Sequence, residues 1–462
     1  MGTSGRFPII IGQARIRTYK LMKSRSQLRR QIGVRTATAL VVGEVIAVGI
    51  FLTPAGMAKQ LGSPMWLLVV WLVMGAMALC GALCYGELAA RFPEAGGGYV
   101  YLREAYGPAA AFMYGWMAFL VMDPGLTAAL AVGLATYAGF GIKLSPWGTK
   151  LLAIVTIVVI ALINIRGVRL GAWVVRTLMF LKLGLLAVVF FWGFGLQLGN
   201  WSNFLPFVSQ RANSAPLMAG LAAGMVGAFF SFAGWWDLSK LAGEVHEPAR
   251  TLPRALTYGV IIVMLVYIFT SAAFIYLVPL DQVTSGETFA AQAGEVLFGR
   301  VGGLVFSLVV VVSILGSLVA LVMAAPRVYY AMARDGLFIS SAAAIHPRFE
   351  TPARAISLQA ILASILVTIG TFNEIVAYFI FVVLVFLVFT VAALFIFRRR
   401  GTAGVGYLTP GYPFTPIVFI VLILMLLVLL GMDNPSRAFL GVAVVALGLP
   451  VYFFLFRLRK AK

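Results

Sequence analysis

Val-Val-Gly-Glu-Val-Ile-Ala-Val-Gly-Ile-Phe-Leu-Thr-Pro, Val41 to Pro54, is an apolar run interrupted by small residues and closed by a proline. A second run, Gly-Ala-Phe-Phe-Ser-Phe-Ala-Gly-Trp-Trp-Asp from Gly227 to Asp237, is interrupted in the same way. These are the first and the sixth of about a dozen hydrophobic segments of membrane-spanning length. Backbone opened at mid-membrane depth survives only where protein buries it or where it lines a wet cavity. Two interrupted spans at corresponding places in two halves of a chain point to a binding site between the halves.

The rest of the chain fits that reading. It is 62% hydrophobic and 11% charged, with a mean hydropathy of +1.00, far from the composition of a soluble domain. The uncharged runs Leu256–Leu280, Val301–Pro326 and Ile375–Phe397 each exceed the ~20 residues that cross a bilayer. The expectation is an all-α polytopic membrane protein. Its twelve transmembrane helices fall over 36–59, 65–90, 107–138, 148–165, 171–196, 217–241, 254–280, 298–332, 355–371, 374–397, 413–431 and 437–456.

The formal charge of +20 does not read as a nucleic-acid surface. The basic residues lie in short loops and at the termini, which is how topology is encoded. Of the 35 Lys and Arg, only Lys59, Lys143, Lys150, Arg211, Arg300 and Arg437 fall on one side, Lys182 falls inside a span, and the remainder fall on the other side. That bias puts both termini in the cytoplasm of a cell whose plasma (inner) membrane holds the protein. Residues 1–35 read as a basic cytoplasmic arm with no cleavable signal peptide, and 457–462 as a basic tail. Cys80 and Cys84, one turn apart in a span, read as small buried hydrophobes. His246 and His346 lie in separate loops, so no metal site is expected. No P-loop, nucleophile elbow or zincin motif calls for a cofactor or for catalysis.

Spans one to five (36–196) and six to ten (217–400) form two units, each opened by an interrupted span; spans eleven and twelve (413–456) are additional. Five spans per unit force the second copy into the opposite orientation, the logic of an inverted repeat. Opening the helix at Ala47-Val48-Gly49-Ile50 frees N–H groups at the positive end of a half-helix, where a carboxylate would bind. Opened carbonyls in span six suit an ammonium. Together they read a zwitterion, the constant part of an α-amino acid. A blander reading stands beside this one: Gly43 and Gly49 allow close helix packing, and Phe230, Phe232, Trp235 and Trp236 are core aromatics.

Three further stretches join Gly49-Ile50-Phe51-Leu52-Thr53-Pro54 in a resemblance. They are Gly81-Ala82-Leu83-Cys84-Tyr85-Gly86-Glu87-Leu88, Gly96-Gly97-Gly98-Tyr99-Val100-Tyr101-Leu102, and Gly243-Glu244-Val245-His246-Glu247-Pro248 with Arg250, Leu252 and Pro253. The chain resembles the amino acid–polyamine–organocation superfamily, nearest its L-type amino acid transporters and their bacterial relatives. The resemblance implies a LeuT-type fold of five plus five inverted helices with an occluded central site. It implies substrate carboxylate on the backbone of Ala47, Val48, Gly49 and Ile50, ammonium on the carbonyls of Phe230, Ser231 and Ala233, and Phe230 as an aromatic gate.

The chain departs from the family pattern in four places. Ala47-Val48-Gly49 replaces Gly-(Ser/Thr)-Gly, Trp236 stands in the substrate site where a small or polar residue is usual and with Phe230 would fill volume there, and Val383 and Leu384 replace a polar and aromatic pair. Ser145 replaces the cysteine that links relatives to a heavy chain, so no disulfide-linked partner is expected.

Lys182 lies nine residues beyond Trp173, about 14 Å up the helix and near the centre of a ~30 Å apolar core. A central Lys costs roughly 2.5–3.5 kcal/mol on insertion scales. Snorkelling to the interface is the bland alternative. The resemblance implies instead that this lysine takes the place of a sodium ion, bridging spans one and eight through the carbonyls of Gly43 and Ile46 and the hydroxyl of Ser317. Intramembrane acids are functional candidates by default. Glu44 reads either as a partner of Lys182 or as a site group. Asp123, before Pro124, reads either as a cap for freed backbone or as a substrate-site acid that would favour cationic substrates.

The resulting expectation is a sodium-independent secondary transporter of neutral amino acids, working by alternating access as an exchanger or facilitator. Proton-coupled symport, with cationic substrates if Asp123 faces the site, is the alternative. A membrane-embedded transferase would need clustered acids or histidines at one interface and a sizeable loop domain. A channel would need polar pore-lining faces.

Overall fold

Punctuation residues set the helix ends. The first span closes at Gly62, whose left-handed φ of 58° ends the helix as a Cβ-free residue can at low cost. Ser63 then caps the second span, its hydroxyl accepting from the Trp66 N–H, with Pro64 in the first turn. Ser145 does the same for the fourth span, accepting from the Gly148 N–H at 3.1 Å, with Pro146 in its first turn. Ser145, where the resemblance implied a linking cysteine in the family, is thus an N-cap here.

The computed structural model describes residues 28–139, 144–212, 214–283, 288–369, 372–401, 406–433, 441–443 and 445–454. Among these the regular structure is helical, with one isolated bridge between Ile32 and Val245 and no strand. Among the described residues nine helices are long and apolar enough to cross a membrane, and the bent pair Val34–Val45 and Gly49–Leu61 makes a tenth. The expected ninth span is a shorter apolar helix of 17 residues, Ala353–Ile369. Most of residues 1–35, the basic residues Lys143 and Arg437, part of the expected twelfth span and the tail 457–462 lie outside the described residues.

Both expected interruptions are present. The first span is bent by 46° across residues 46–48. The sixth runs as an α-helix from Leu217 to Phe232 and resumes as a 3₁₀ helix from Trp235 to Glu244. Gly234 between them has φ 107°, a conformation that L side chains rarely adopt. The third span carries a π turn over Ala118–Met122 immediately before Asp123-Pro124. Pro124 cannot donate to the ladder, and a wider turn accommodates that loss.

The broken halves sit at the centre of the bundle. Val34–Val45 packs on the fifth, seventh and eighth spans, and Gly49–Leu61 packs on Leu217–Phe232. Gly49 permits this approach: a Cβ there would lie 2.7 Å from the Ser231 Cα, which no side chain tolerates.

At the end of the bundle that carries residues 28–33, backbone and charge tie the elements together. Gln31 and Ile32 donate N–H bonds to the Glu244 carbonyl, and His246 donates to the Ile32 carbonyl. The Glu244 carboxylate takes a two-point ion pair from the buried Arg327, at 2.7 and 3.2 Å. Arg103 and Tyr99 both donate to Asp335, at 2.7 and 2.8 Å.

Candidate functional site

The two breaks face each other across a cavity of about 30 Å³ lined by Glu44, Val45, Ala47, Val48, Gly49, Leu126, Leu130, Phe230, Ser231, Ala233, Gly234 and Leu321. That volume holds a water or two and is smaller than an amino acid, so the site is collapsed. Among the described residues no protein acceptor takes the N–H groups of Val48, Gly49 and Ile50. They form the open N-terminus of the second half-helix, a site suited to an anion.

On the opposite wall, the Phe230 carbonyl accepts a 3.3 Å bond from the Ala233 N–H. The Ser231 carbonyl accepts from the Tyr267 hydroxyl at 2.7 Å. That hydroxyl also lies 2.9 Å from the Val45 carbonyl, so one buried tyrosine of span seven joins both breaks. Ser231 Oγ and Thr53 Oγ1, 2.8 Å apart, make a second tie. Tyr267 was not legible in the sequence, where a tyrosine in a long apolar run reads as core.

Lys182 is fully buried. Its ammonium donates to the carbonyls of Gly43 at 2.8 Å and Ile46 at 2.5 Å, which are freed by the break in span one. The third partner is the Ser313 carbonyl at 3.0 Å, in place of the Ser317 hydroxyl that the resemblance implied. Ser317 Oγ instead donates alongside the lysine, 2.9 Å from the Gly43 carbonyl and 3.2 Å from that of Ser313. The two side chains share the Gly43, Ile46 and Ser313 carbonyls as acceptors. Snorkelling is excluded by the three interior partners.

Glu44 does not pair with Lys182. Successive helical positions point about 100° apart, and Glu44 faces span six while the Gly43 carbonyl faces span five. Its carboxyl lies near that of Asp237, and its Oε1 has no hydrogen-bond partner. Asp123 does not line the cavity. Its two oxygens are occupied by Lys240 at 2.9 Å and the Tyr329 hydroxyl at 3.1 Å, and neither caps the backbone around Pro124. Lys240, placed by the sequence pattern among the cytoplasmic basic residues, is buried between Asp123 and Asp237, at 2.9 Å from each. The Asp237 contact is bent, an ion pair without a hydrogen bond. The signal available was Asp237 and Lys240 at i and i+3, one face of a helical turn.

Trp236 also lies off the cavity. Its ring meets Trp235 edge-on at 5.4 Å and Phe229 at 6.5 Å in parallel. The segment after Gly234 winds with three residues per turn, which directs Trp236 into this aromatic cluster. Val383 and Leu384 are buried elsewhere. The apolar wall comes from Leu126 and Leu130 of span three and Leu321 of span eight.

A family model described as amino acid permease matches residues 32–455. The chain belongs to the amino acid permease family. It is 33% identical over 434 residues to the serine/threonine exchanger SteT of Bacillus subtilis, covering 92% of this chain and 97% of that one. It is 28% identical to the b(0,+)-type amino acid transporter 1 of Mus musculus, over 93% of this chain and 88% of the relative. With the large neutral amino acids transporter small subunit 2 of Homo sapiens it shares 28% over 92% and 80% of the respective chains. The family places this multi-pass membrane protein among amino acid transporters and not among enzymes.

Proposed function

We propose that the protein is a sodium-independent transporter of neutral amino acids that works by exchange through alternating access. The observation that carries the sodium reading is the Lys182 ammonium on the carbonyls of Gly43, Ile46 and Ser313. A fixed charge already satisfies the carbonyls that a bound cation would otherwise satisfy. The zwitterion reading rests on the free N–H groups of Val48, Gly49 and Ile50 facing the carbonyls of Phe230, Ser231 and Ala233. The preference for neutral side chains rests on the leucines of spans three and eight and on the occupied Asp123. Spans one and six would rock against the others, with both termini cytoplasmic and the protein in the plasma membrane. Ser145, engaged as an N-cap, supports a transporter without a disulfide-linked heavy chain.

The test is exchange in proteoliposomes preloaded with each common L-amino acid in turn, with sodium or N-methylglucamine outside. Equal uptake in both media, restricted to neutral substrates and lost for amino acid esters and decarboxylated amines, is expected. Uptake that needs sodium overturns the Lys182 reading. Amines that compete as well as their parent amino acids overturn the assignment of Val48, Gly49 and Ile50. A second reading, proton-linked transport, is favoured by the unpaired Glu44 oxygen.

A further inference from the structure

Four ionisable side chains fill the space behind the central cavity: Glu44 of span one, Asp123 of span three, and Asp237 and Lys240 of span six. Each is at least nine-tenths buried. Fully ionised, they carry three negative charges against one positive. Lys240 is shared between Asp123 and Asp237, and Tyr329 adds a neutral donor to Asp123. Among the described residues no hydrogen bond or ion pair serves Glu44, on which Lys240 acts only at longer range. Its carboxyl lies near that of Asp237, and two like charges close together in a dry site disfavour both being ionised. Its Oε1 is buried without a partner, and the side chain lines the cavity at the breaks.

The other groups around Glu44 do not relieve this excess. From span five, Lys182 is held by three carbonyls. From span seven, the Tyr267 hydroxyl is committed to the carbonyls of Val45 and Ser231. Span eight presents Ser317, which donates to carbonyls. Tyr114 of span three and Tyr85 of span two are neutral phenols near Lys240 and Asp237 respectively.

We propose that Glu44 is the proton-carrying group of the transporter: its carboxylate takes one proton from the side at which substrate enters and releases it on the other side. This rests on the alternating-access function proposed for the chain and goes beyond it, since it converts pure exchange into net uptake whenever a proton gradient exists. Geometry favours Glu44 over the other members. Of the four, it alone lines the cavity, so it reaches water when either gate opens, whereas Asp123 and Asp237 keep Lys240 as a permanent counter-ion. The site also lies across the joint: Glu44 is on one broken span and Asp237 on the other. Protonation removes the repulsion between the halves and lets the loaded site close. The proton leaves with substrate on the inner side, and the emptied carrier returns without it, the step that net uptake requires.

The experiment uses the full-length protein in proteoliposomes. Potassium is equal on both sides, valinomycin clamps the potential at zero, and the labelled substrate is the amino acid that exchanges fastest among those screened. For one proton per substrate, an inward gradient of about one pH unit sets a ceiling of about tenfold accumulation. Wild type is expected to accumulate several-fold, and a pH-sensitive dye inside should report acidification when substrate is added outside. Glu44→Gln should lose both accumulation and acidification, with whatever exchange it retains no longer responding to the pH gradient.

Wild type that exchanges without accumulation or acidification overturns the proposal and leaves the proposed function standing. Absence of any amino acid exchange overturns the function itself. Glu44→Gln that accumulates like wild type removes Glu44 from the role. If Glu44→Gln selectively loses uptake of lysine and arginine and keeps proton-driven uptake of neutral substrates, Glu44 is a side-chain contact and the proposal fails. The dye measurement on wild type needs no mutant to fold.

Discussion

Among the described residues two lysines are buried in this bundle, and their surroundings have little in common. Lys182 meets only backbone carbonyls and shares them with the Ser317 hydroxyl. Lys240 meets two carboxylates. The first ammonium replaces helix hydrogen bonds lost where span one opens, and so belongs to the mechanics of the break. The second neutralises acids drawn from spans three and six, and so belongs to the electrostatics behind the site. Depth alone does not say what a buried charge does: its partners do. They also set the cost of removing the charge, because an orphaned carbonyl is a dipole and an orphaned carboxylate is a full charge.

The largest effect is therefore expected at Lys240. Lys240→Met leaves Asp123 and Asp237 buried without a counter-ion, and breaking such a pair costs about 3–5 kcal/mol. Thermal unfolding in detergent should show a clear loss of stability. The comparison sharpens with a second change: Lys240→Met combined with Asp123→Asn and Asp237→Asn removes the charges together and should recover much of the loss, since deleting a whole buried ionic group is often neutral. A Lys240→Met protein as stable as wild type would mean that the acids are not ionised around this lysine.

At Lys182 the stability cost should be smaller and the functional cost larger. Lys182→Met orphans carbonyls at about 1–3 kcal/mol each, and Ser317 Oγ still covers that of Gly43. The protein should insert and elute as wild type on size exclusion, yet exchange should fall to background, because the break in span one loses the strut that ties it to spans five and eight. An active Lys182→Met protein would reduce the lysine to packing. A variant that fails to fold at all would erase the distinction from Lys240.

The same contrast marks how far the sequence could be read. Both interruptions were visible because small residues stand in otherwise continuous apolar runs. Lys182 was visible because a charge in such a run has no ordinary explanation. Lys240 was not, because it follows Asp237 near the end of a span, where basic residues usually mark the interface. Its burial depends on the 3₁₀ turns after Gly234 and on Asp123 arriving from span three, which no local pattern encodes. Trp236 went astray for the same reason: its direction is set by the winding after the break. Pairing Glu44 with Lys182 was reasonable on charge alone, but adjacent positions on one helix face different neighbours, and only packing decides which. Tyr267, which ties both breaks, carries no sequence signal beyond its type.

Ser317 tests the finest part of the comparison. If it were an independent ligand of the lysine, its loss would resemble that of Lys182. As a second donor onto carbonyls that Lys182 already holds, it should matter much less. Ser317→Ala removes one neutral hydrogen bond, worth about 0.5–1.5 kcal/mol, and orphans no group, because the Gly43 and Ile46 carbonyls keep the ammonium. Exchange should fall by less than about tenfold, mostly in rate, with the substrate range unchanged. The double variant Lys182→Met with Ser317→Ala then leaves the Gly43 carbonyl bare. Its stability should fall by more than the sum of the single losses, because each donor covers for the other. Strict additivity would show that the two act on separate acceptors, and the lysine would then hold the break alone.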